Sequence, residues 1–501
     1  MAALMDSLLV KDKFHDSYTR SSFYINGDWV KPDSKNKIRI ISPSTQNVIG
    51  EVPDANTNDI NSAVLAARSA FDKKSGWSSW PVAERAAAMR RLADILEVRH
   101  QELSVLYAHE LGRPFIPTVT RPSRAAELLR YYAGLAEELE FDQIRAIPAL
   151  QNPGLVKRSS VKLESRGVSA VIVPYNGTLE MGLFKIGPTL ALGGTVVLKP
   201  SPQSPLEGYI FAEAAAQAGF PAGVINVLPG SREAGEALVA HPGVNIVGFT
   251  GSTETGRAIA QTCAGSFKSV VLELGGKSAA VLLDDADIAS FARNLPYLGF
   301  TFTGQNCFIH SRVIVPKSIH DQVVQAMVEA AAAIKIGDPF DEATQNGPLI
   351  SEQHREKVEG FIASGLKQGA QLALGGDRPS DLAKGWYLNP TIFVNASTEM
   401  DICQSEIFGP VVAVIAVEND QEAIAVANDS QFGLAGSVWS TDENRARSVA
   451  DQIDTGSIGI NGFGFNTAAP FGGRKNSGIG TELGTEGFLA YARYKSTHYM
   501  N

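Results

Sequence analysis

The chain has few of the features that mark secreted, membrane or nucleic-acid-binding proteins. Its 501 residues include 3 cysteines, Cys263, Cys307 and Cys403, too few and too irregularly spaced for a disulfide framework. No apolar run approaches the roughly 18 residues of a membrane span, and the first residues lack the basic and apolar regions of a signal peptide. These absences predict a cytoplasmic protein with no membrane partner.

Charge and ligand motifs exclude further classes. There are 53 acidic and 44 basic residues, a formal net charge of -9, and no block of lysine and arginine, so nucleic acid is not an expected partner. The 8 histidines are scattered, and neither HExxH nor a pair of CxxC motifs is present, so no metal site is predicted. Apolar residues make up 44% and charged residues 19%, a composition typical of compact globular domains.

Short β-branched runs alternate with helix-like stretches between residues 168 and 276. The helix-like stretches include Leu206–Ala218 and Arg232–Ala240. The predicted strands are Val168–Val173, Thr195–Leu198, Val224–Leu228, Val244–Phe249 and Val270–Leu274. This alternation predicts successive βαβ units in a doubly wound, Rossmann-like parallel sheet, which binds nucleotides beyond the carboxyl ends of its strands.

The rest of the chain predicts a helical layer, a second α/β domain and a small β element. Helical spacing at 59–71 and 83–111 precedes the sheet, and further helices alternate with strands after residue 277. Two stretches, among them a strand-like segment at 154–162, fit neither pattern. The predicted division is 1–140 with 160–276 for the nucleotide-binding domain, 277–476 for the catalytic domain, and 141–159 with 477–501 for an oligomerisation element.

Gly304-Gln305-Asn306-Cys307 contains the strongest candidate nucleophile. A single cysteine in such a protein is more often a small core residue than a reactive one. Here glycine and glutamine precede the thiol and a strand begins soon after it, at Arg312, which predicts a loop that ends a helix. Reactive groups concentrate on such loops, so we interpret Cys307 as functional, and Cys263 and Cys403 as structural.

Glu273 is the candidate base. It lies among apolar residues in Leu272-Glu273-Leu274-Gly275-Gly276-Lys277, and burial raises a carboxyl pKa toward the range useful to a general base. The glycine pair lets the backbone turn closely. Gly276-Lys277-Ser278 resembles the end of a phosphate-binding P-loop, but that motif requires glycine where this chain has Val271, so a P-loop is rejected.

Three further segments follow predicted strands of the first sheet. Gly248 to Gly256 leads from a strand into a predicted helix, where backbone N–H groups and the helix dipole can hold a pyrophosphate. Lys199 supplies a cation at the end of another strand. Asn176, at the end of a third, can donate to an oxygen that becomes negative during attack on a carbonyl.

Taken together, these segments resemble the aldehyde dehydrogenase superfamily over nearly the whole chain. Each segment alone is weakly specific, but eight in the family's order and at similar intervals are highly specific. They are Phe23–Trp29, Pro174-Tyr175-Asn176, Leu198–Ser201, Phe249–Ser252, Leu272–Lys277, Gly304–Cys307, Glu406–Pro410 and Pro470–Gly473.

The resemblance implies an NAD(P)-dependent oxidation through a covalent thioester. It makes Cys307 the nucleophile, Glu273 the base that activates the deacylating water, Asn176 part of the oxyanion hole, and Lys185 an orienting group near the catalytic centre. For Lys185 the alternative is a solvated helix lysine. It implies cofactor contacts, with Lys199 at the adenosine ribose, Ser252 at the pyrophosphate and Glu406 with Phe408 at the nicotinamide riboside. The full implied cofactor set is Pro174, Tyr175, Lys199, Ser201, Pro202, Gly251, Ser252, Leu274, Gly275, Glu406 and Phe408.

Departures from the family pattern bear on substrate and cofactor. Tyr175 replaces a common tryptophan and Gly177-Thr178 replaces Phe-Pro, which predicts a wider tunnel mouth. Pro202 replaces a glutamate that accepts hydrogen bonds from the cofactor ribose in many NAD-preferring relatives, so we expect NAD to be slightly favoured with NADP use possible. Residues implied in the substrate pocket predict an aromatic, terpenoid or medium-chain aldehyde: Gly177, Met181, Phe184, Phe308, Phe463 and Phe465.

Two other interpretations stay open at this stage. A coenzyme-A-acylating relative would pass the thioester to a thiol and commonly lacks the base that Glu273 supplies. A nonenzymatic protein that reuses the fold would be expected to have lost catalytic residues, and none is missing. The resemblance also implies a homodimer or homotetramer.

Overall fold

The computed structural model describes residues 18–72, 74–115, 123–147, 156 and 158–500. The helices are α1 (Thr57–Asp72), α2 (Val82–Val98), α3 (His100–Leu111), α4 (Arg124–Glu138), α5 (Thr178–Ala191), α6 (Leu206–Ala218), α7 (Arg232–Ala240), α8 (Thr253–Ala264), α9 (Ile288–Phe300), α10 (His320–Ala332), α11 (Glu352–Lys367), α12 (Asp401–Gln404), α13 (Asp420–Asn428), α14 (Glu443–Ala450) and α15 (Gly484–Ala490).

The strands are β1 (Phe23–Ile25), β2 (Asp28–Val30), β3 (Lys37–Ile41), β4 (Val48–Pro53), β5 (Asp142–Arg145), β6 (Arg158–Ser165), β7 (Val168–Ile172), β8 (Thr195–Lys199), β9 (Ile225–Val227), β10 (Ile246–Thr250), β11 (Ser269–Glu273), β12 (Ala279–Leu282), β13 (Arg312–Pro316), β14 (Gln371–Leu374), β15 (Thr391–Val394), β16 (Val411–Val417), β17 (Phe432–Gly433), β18 (Gly436–Trp439), β19 (Gly459–Ile460), β20 (Arg474–Lys475), β21 (Gly478–Ile479) and β22 (Ala492–Tyr499).

The first sheet is the predicted doubly wound parallel sheet. Its strand order is β2-β1-β9-β8-β7-β10-β11-β21, and the five strands from β9 to β11 run parallel. β7, β8 and β10 are buried along their whole length, which is why they appear in the sequence as continuous apolar runs. The strand order reverses between β7 and β10, and such a switch point is where open α/β sheets bind ligands.

Helices cover both faces of this sheet. One face packs against a core to which α2, α4, α5 and α6 contribute, and the other against a core that includes residues of α1, α7 and α8. Cys263, interpreted from the sequence as structural, is buried in the second of these cores. Because helices pack on both faces of the sheet, the loops at the switch point are held in fixed positions.

A second mixed sheet follows, with the order β14-β15-β16-β13-β12-β18-β19. Its central strands are parallel, and β14 pairs antiparallel with β15 at one edge. α9 and α10 pack on one face, while α13 and α14 pack on the other. The predicted second α/β unit is therefore present.

A third, antiparallel sheet contains β22, β6 and β5. β6 ends at Ser165, whereas the first part of the predicted oligomerisation element ends at 159. Residues 154, 155 and 157 of the strand predicted at 154–162 lie outside the described residues. Before β22, Gly478–Ile479 pairs with β11 of the first sheet. Gly478–Ile479, in the predicted 477–501 part of the oligomerisation element, therefore pairs with the first sheet, and the domain bounds stay a prediction.

No helix within the described ranges is both long enough and apolar enough to cross a bilayer.

Candidate active site

Loops at the switch point of the first sheet open into a cavity of about 490 Å³. β7 ends before Pro174, Tyr175 and Asn176, and β10 ends before Gly251 and Ser252. The cavity is lined by these five residues together with Met181, Gln203, Thr250, Leu274, Cys307, Ile350, Ser351, Gln353, His354, Lys357, Glu406 and Phe408. Segments that are far apart in the sequence thus meet around one space.

Cys307 lies on a loop that follows a helix, as the sequence predicted. After α9 the chain makes a short 3₁₀ turn, Thr301–Gly304, in which Phe302, Thr303 and Gly304 all have positive φ. A Cβ at Gly304 would lie 2.1 Å from the carbonyl oxygen of Gly409, so this turn requires glycine. Burial, and secondarily the carboxyl groups of Glu406 and Glu273, raises the pKa of the Cys307 thiol above its usual range.

Glu273 is the last residue of β11, and its side chain is only 3% exposed. Neither carboxyl oxygen has a hydrogen-bond partner among the described residues. Burial raises the pKa of Glu273 well above its usual value, the Glu482 carboxyl raises it further, and the Lys185 ammonium opposes both. A raised pKa makes this carboxylate a stronger proton acceptor than an exposed one, as a general base requires.

The glycine pair after Glu273 brings that strand against the cysteine loop. Gly276 N–H donates to Glu406 Oε1 at 3.0 Å, and Ser477 Oγ donates to the carbonyl of Gly275 at 2.6 Å. A Cβ on Gly276 would lie 2.3 Å from the carbonyl oxygen of Cys307. Close backbone approach therefore explains the glycine, and it places the segment that carries the base beside the segment that carries the thiol.

Asn176 is held against the same loop. Its Nδ2 donates to the carbonyl of Gln305 at 2.8 Å, and the Tyr175 hydroxyl donates to Gln305 Oε1 at 3.0 Å. Asn176 is 5% exposed and its Oδ1 has no partner in the described part of the chain. The amide has a second N–H, which is available to an oxygen in the cavity.

Lys185 lies on α5 and is fully buried. Its Nζ forms a 2.5 Å ion pair with Glu482 Oε1, and it donates to Thr250 Oγ1 at 2.6 Å and to the carbonyl of Met181 at 3.1 Å. The solvated-lysine alternative is therefore excluded. Sequence reasoning missed Glu482, because no local pattern around it indicates that its carboxyl group faces a lysine on another element.

The cofactor set implied by the resemblance lies mainly on the cavity wall. α8 begins after Ser252, whose Oγ accepts from Thr255 N–H, so the helix N-terminus faces the cavity and offers its dipole to an anion. Leu274 and Glu406 line the same wall; burial raises the pKa of Glu406 to about 7, while Gly276 N–H opposes that shift. These donors and the space fit a dinucleotide.

Lys199 is the last residue of β8, and Ser201 and Pro202 follow it; none of the three lines the cavity. Lys199 is 6% exposed, and its Nζ donates to the carbonyls of Gly230 at 2.5 Å and Pro200 at 3.2 Å. Burial lowers the pKa of Lys199 to about 8. Gln203, in the loop after β8, lines the cavity. It was not among the predicted cofactor residues.

The implied substrate residues form an aromatic cluster next to the thiol. The Phe308 ring lies 5.8 Å from that of Phe463 and 5.2 Å from that of Phe465, and Phe465 contacts Phe471 at 4.9 Å. Phe184 and Met181 pack in the same apolar cluster as Cys307 and Phe463. A Cβ on Gly177 would meet Met181 Cε at 3.2 Å, so glycine leaves room beside that methionine.

One wall of the cavity was not predicted. Ile350, Ser351, Gln353, His354 and Lys357 come from α11 and the loop before it. These residue types have no distinctive spacing, so only the contact of the loop before α11 with the cysteine loop, where Ile350 N–H donates to Gln305 Oε1, reveals them. No group of three or more potential metal ligands occurs among the described residues.

The sequence also matches that of characterised proteins. The profile of the Aldehyde dehydrogenase family matches residues 29–497, almost the entire chain. The chain belongs to the aldehyde dehydrogenase family.

Relatives and solved structures agree with this assignment. The chain is 42% identical to geranial dehydrogenase of Castellaniella defragrans, over 95% of the chain and 98% of that protein. It is 36% identical to betaine aldehyde dehydrogenase of Bacillus subtilis, over 95% and 97%. An aldehyde dehydrogenase of Mycobacterium tuberculosis in complex with NAD+ superposes with a TM-score of 0.93 and 39% identity, over 97% of this chain and 99% of that one.

A second solved structure is a mutant of aldehyde dehydrogenase C of Pseudomonas syringae with NAD+ and octanal. It has a TM-score of 0.90 and 36% identity, over 96% of this chain and 97% of that one. The predicted class is thus confirmed: the protein is an NAD(P)-dependent aldehyde dehydrogenase with the predicted α/β fold.

Proposed function

We propose that this aldehyde dehydrogenase oxidises apolar aldehydes to free carboxylic acids through a thioester on Cys307, with Glu273 as the base. The observation that carries the proposal is the convergence of two segments: Cys307 lines the cavity, its thiol is coupled electrostatically to Glu273, and the strand of Glu273 contacts the Cys307 backbone at Gly276. Glu273 itself does not line the cavity, so what supports the proposal is the contact between the two segments, which brings a nucleophile and a base close together.

In the first step the Cys307 thiol releases its proton to solvent and adds as a thiolate to the aldehyde carbon, and the carbonyl oxygen becomes an alkoxide. The unused N–H of Asn176 and the backbone N–H of Cys307 stabilise that charge. Gln305 fixes the Asn176 amide by accepting from its first N–H. Loss of one such donor costs about 3 kcal/mol in enzymes with comparable oxyanion sites.

NAD(P)+, when bound, accepts the hydride that leaves the former aldehyde carbon. Pro174, Tyr175, Gly251, Ser252 and Leu274 would hold the cofactor along the cavity wall, with its pyrophosphate at the N-terminus of α8. Glu406 and Phe408 would hold its nicotinamide end, with Gly275 beside them. Lys199 retains one of its three donors for a ribose hydroxyl, since the other two reach Pro200 and Gly230.

In the second step Glu273 removes a proton from water, which attacks the thioester carbon. The carboxylic acid leaves and Cys307 regains its thiol. The Lys185 ammonium is close enough to lower the pKa of Glu273, and Glu482 balances the charge of that lysine. Within this network the Lys185 ammonium opposes the rise in the pKa of Glu273 that burial and Glu482 cause.

The substrate class follows from the walls beside the thiol. Phe308, Phe463 and Phe465, with Met181 and Phe184, offer an apolar surface and no fixed charge. Geranial dehydrogenase, a relative at 42% identity, is named for a terpenoid aldehyde, and a structural neighbour was solved with octanal. Aromatic, terpenoid and medium-chain aldehydes are therefore the proposed substrates.

We propose NAD as the preferred cofactor, with measurable use of NADP. Structural neighbours are complexed with NAD+. Pro202 removes the carboxylate that would repel a 2′-phosphate, but it adds no cation to attract one, so the preference should be small. The ratio of kcat/KM for the two cofactors tests this directly.

One assay separates this function from the acylating alternative. Purified protein is incubated with geranial, octanal, acetaldehyde or betaine aldehyde and NAD+, with and without coenzyme A, and both the reduced cofactor and the acid are quantified. We expect acid in equal amount to reduced cofactor without coenzyme A, and the highest kcat/KM with geranial or octanal. Acyl-coenzyme A as the product, or betaine aldehyde as the best substrate, would contradict the proposal.

We also propose a homodimer or homotetramer in the cytoplasm. β22 lies at one edge of the third sheet with Arg493–Tyr499 exposed, and such an edge can pair with a strand of another subunit. Light scattering of the purified protein measures the assembly.

A further inference from the structure

Two buried glutamates outside the catalytic site tie three helices together. Glu110 on α3 and Glu207 on α6 are both 0% exposed. Glu110 Oε1 accepts from Leu206 N–H, at the start of α6, at 3.1 Å. Glu207 Oε2 accepts from Leu179 N–H, in the first turn of α5, at 2.9 Å. Each carboxyl group therefore caps the N-terminus of a helix other than its own.

The second of these caps lies next to Asn176. The 3₁₀ turn Tyr175–Gly177 leads directly into α5, so whatever fixes the first turn of α5 also fixes the backbone of Asn176. Ser204, just before α6, adds two contacts: its Oγ donates to the carbonyl of Tyr175 at 3.2 Å and lies 2.8 Å from Thr178 Oγ1. The start of α6 thus braces the residues on both sides of Asn176.

The two carboxyl groups share a dry site. Glu110 Oε2 and Glu207 Oε1 have no hydrogen-bond partner in the described ranges. Burial raises the pKa of Glu207 to about 7, while burial and the Glu207 charge raise that of Glu110 well above its usual value. The other titratable groups that face the pair are Tyr18, Tyr107, Arg113 and Glu180.

We propose that Glu110 and Glu207 are positioning residues for the oxyanion site, and that loss of a proton from Glu207 tightens the hold of α6 on Asn176. The inference rests on the proposed role of Asn176. A carboxylate interacts more strongly than a carboxylic acid with the N–H groups and dipole at a helix N-terminus. Glu110 holds the start of α6 in place through the hydrogen bond from Leu206 N–H while Glu207 changes its charge.

The test compares Glu207→Gln, Glu207→Leu and wild type in the full-length enzyme. Gln keeps an acceptor for Leu179 N–H but cannot ionise, while Leu removes the acceptor at similar size. Glu236→Gln, on the exposed face of α7, removes a charge without a buried partner and is the matched control. The measurement is the rate of the first-turnover burst of reduced nicotinamide, from about pH 6 to about pH 8.5, with octanal and NAD+.

We expect Glu207→Gln to match wild type at the acid end and to be about threefold slower at the alkaline end, the fold-change expected for one charge at a helix N-terminus. Glu207→Leu should lower the burst rate about tenfold at every pH, part of the loss that follows removal of an oxyanion donor. KM for NAD+ should not change. Dividing the burst rate of the variant by that of wild type cancels the effect of ionisations common to both proteins. The pH dependence of this ratio therefore reports the ionisation of Glu207.

The proposal would be overturned if the burst rate of Glu207→Gln, relative to wild type, did not vary with pH. It would also be overturned if the variant changed only KM for NAD+ or the melting temperature and left the burst rate as in wild type. If Glu207→Leu does not fold, the Gln variant decides. Asn176→Ala is measured in parallel. If that variant keeps its burst rate, the proposed role of Asn176 is wrong. If it loses the burst while the Glu207 variants match wild type, only the proposed positioning role of Glu207 is wrong.

Discussion

Lys185 and Glu482 form an ion pair of 2.5 Å whose side chains are 0% and 2% exposed. The pair links α5 to the segment just before α15, and Thr250 Oγ1 accepts a further hydrogen bond from the lysine. Glu273 is close enough for both charges to shift its pKa, in opposite directions. The Lys185–Glu482 ion pair therefore links the packing of the segment before α15 to the pKa of the proposed base, Glu273.

We expect Glu482→Gln to destabilise the protein by about 3–5 kcal/mol, because it leaves the Lys185 ammonium buried without its counter-charge. Lys185→Met combined with Glu482→Leu should recover most of that loss, since no uncompensated charge is left. Urea unfolding at one fixed protein concentration measures both free energies. Equal losses in the single and double variants would mean that shape, and not charge, makes this contact important.

Glu273→Gln should separate the two chemical steps. We expect a full burst of reduced cofactor, because acylation does not need the base, followed by a steady-state rate lowered by about 10²–10⁴. In wild type the steady-state rate should rise with pH through the raised pKa of Glu273, since only the carboxylate can accept a proton from water. Glu236→Gln is the control. Absence of a burst in Glu273→Gln would mean that Glu273 also acts in the first step.

Gly276 and Gly275 give a matched pair of substitutions. A Cβ on Gly276 would meet the backbone carbonyl of Cys307 at 2.3 Å, whereas on Gly275 it would meet the side-chain oxygen of Glu406 at 2.5 Å. A backbone atom cannot move without displacing the thiol, but a carboxyl group can rotate away. We therefore expect Gly276→Ala to lower kcat about 10²-fold through misplacement of the nucleophile, and Gly275→Ala mainly to raise KM for NAD+. Circular dichroism confirms that both variants fold.

The sequence predicted the first sheet well because its strands are buried on both faces. β8 and β10 therefore appear as unbroken apolar runs, and Leu206–Ala218 was predicted with the bounds that α6 has in the structure. Residues 477–491 were harder to assign. Gly478–Ile479 forms only two pairs with β11, too short a strand to leave a period-two pattern in the sequence.

The site was predictable only where glycine or a strand end marks it. Cys307, Asn176 and Ser252 lie in such segments, and the structure brings them to one cavity. Glu482 and Glu207 have no such mark: each is an acidic residue on a helix or beside one, and its importance comes from a partner on another element. Burial of a single charge depends on three-dimensional packing, which a local pattern does not encode.

Phe465→Ala tests the proposed substrate surface. Phe465 is 37% exposed and its ring contacts those of Phe308 and Phe463, so truncation removes apolar area from the cluster beside the thiol. At about 25 cal/mol per Å², loss of about 40–60 Å² of contact lowers binding by about 1–1.5 kcal/mol, which corresponds to a loss of about five- to thirteenfold in kcat/KM for octanal or geranial.

Acetaldehyde has no hydrocarbon tail beyond its methyl group to bury against this ring, so we expect its kcat/KM not to change. Phe267→Ala is the matched control, because Phe267 is 95% exposed on the loop after α8 and the same truncation there removes no contact with the cluster. Equal losses for acetaldehyde and octanal in the Phe465 variant would show that the ring supports the catalytic loop rather than the tail of the aldehyde. A selective loss for the long aldehydes would instead make Phe465 part of the surface that selects apolar substrates.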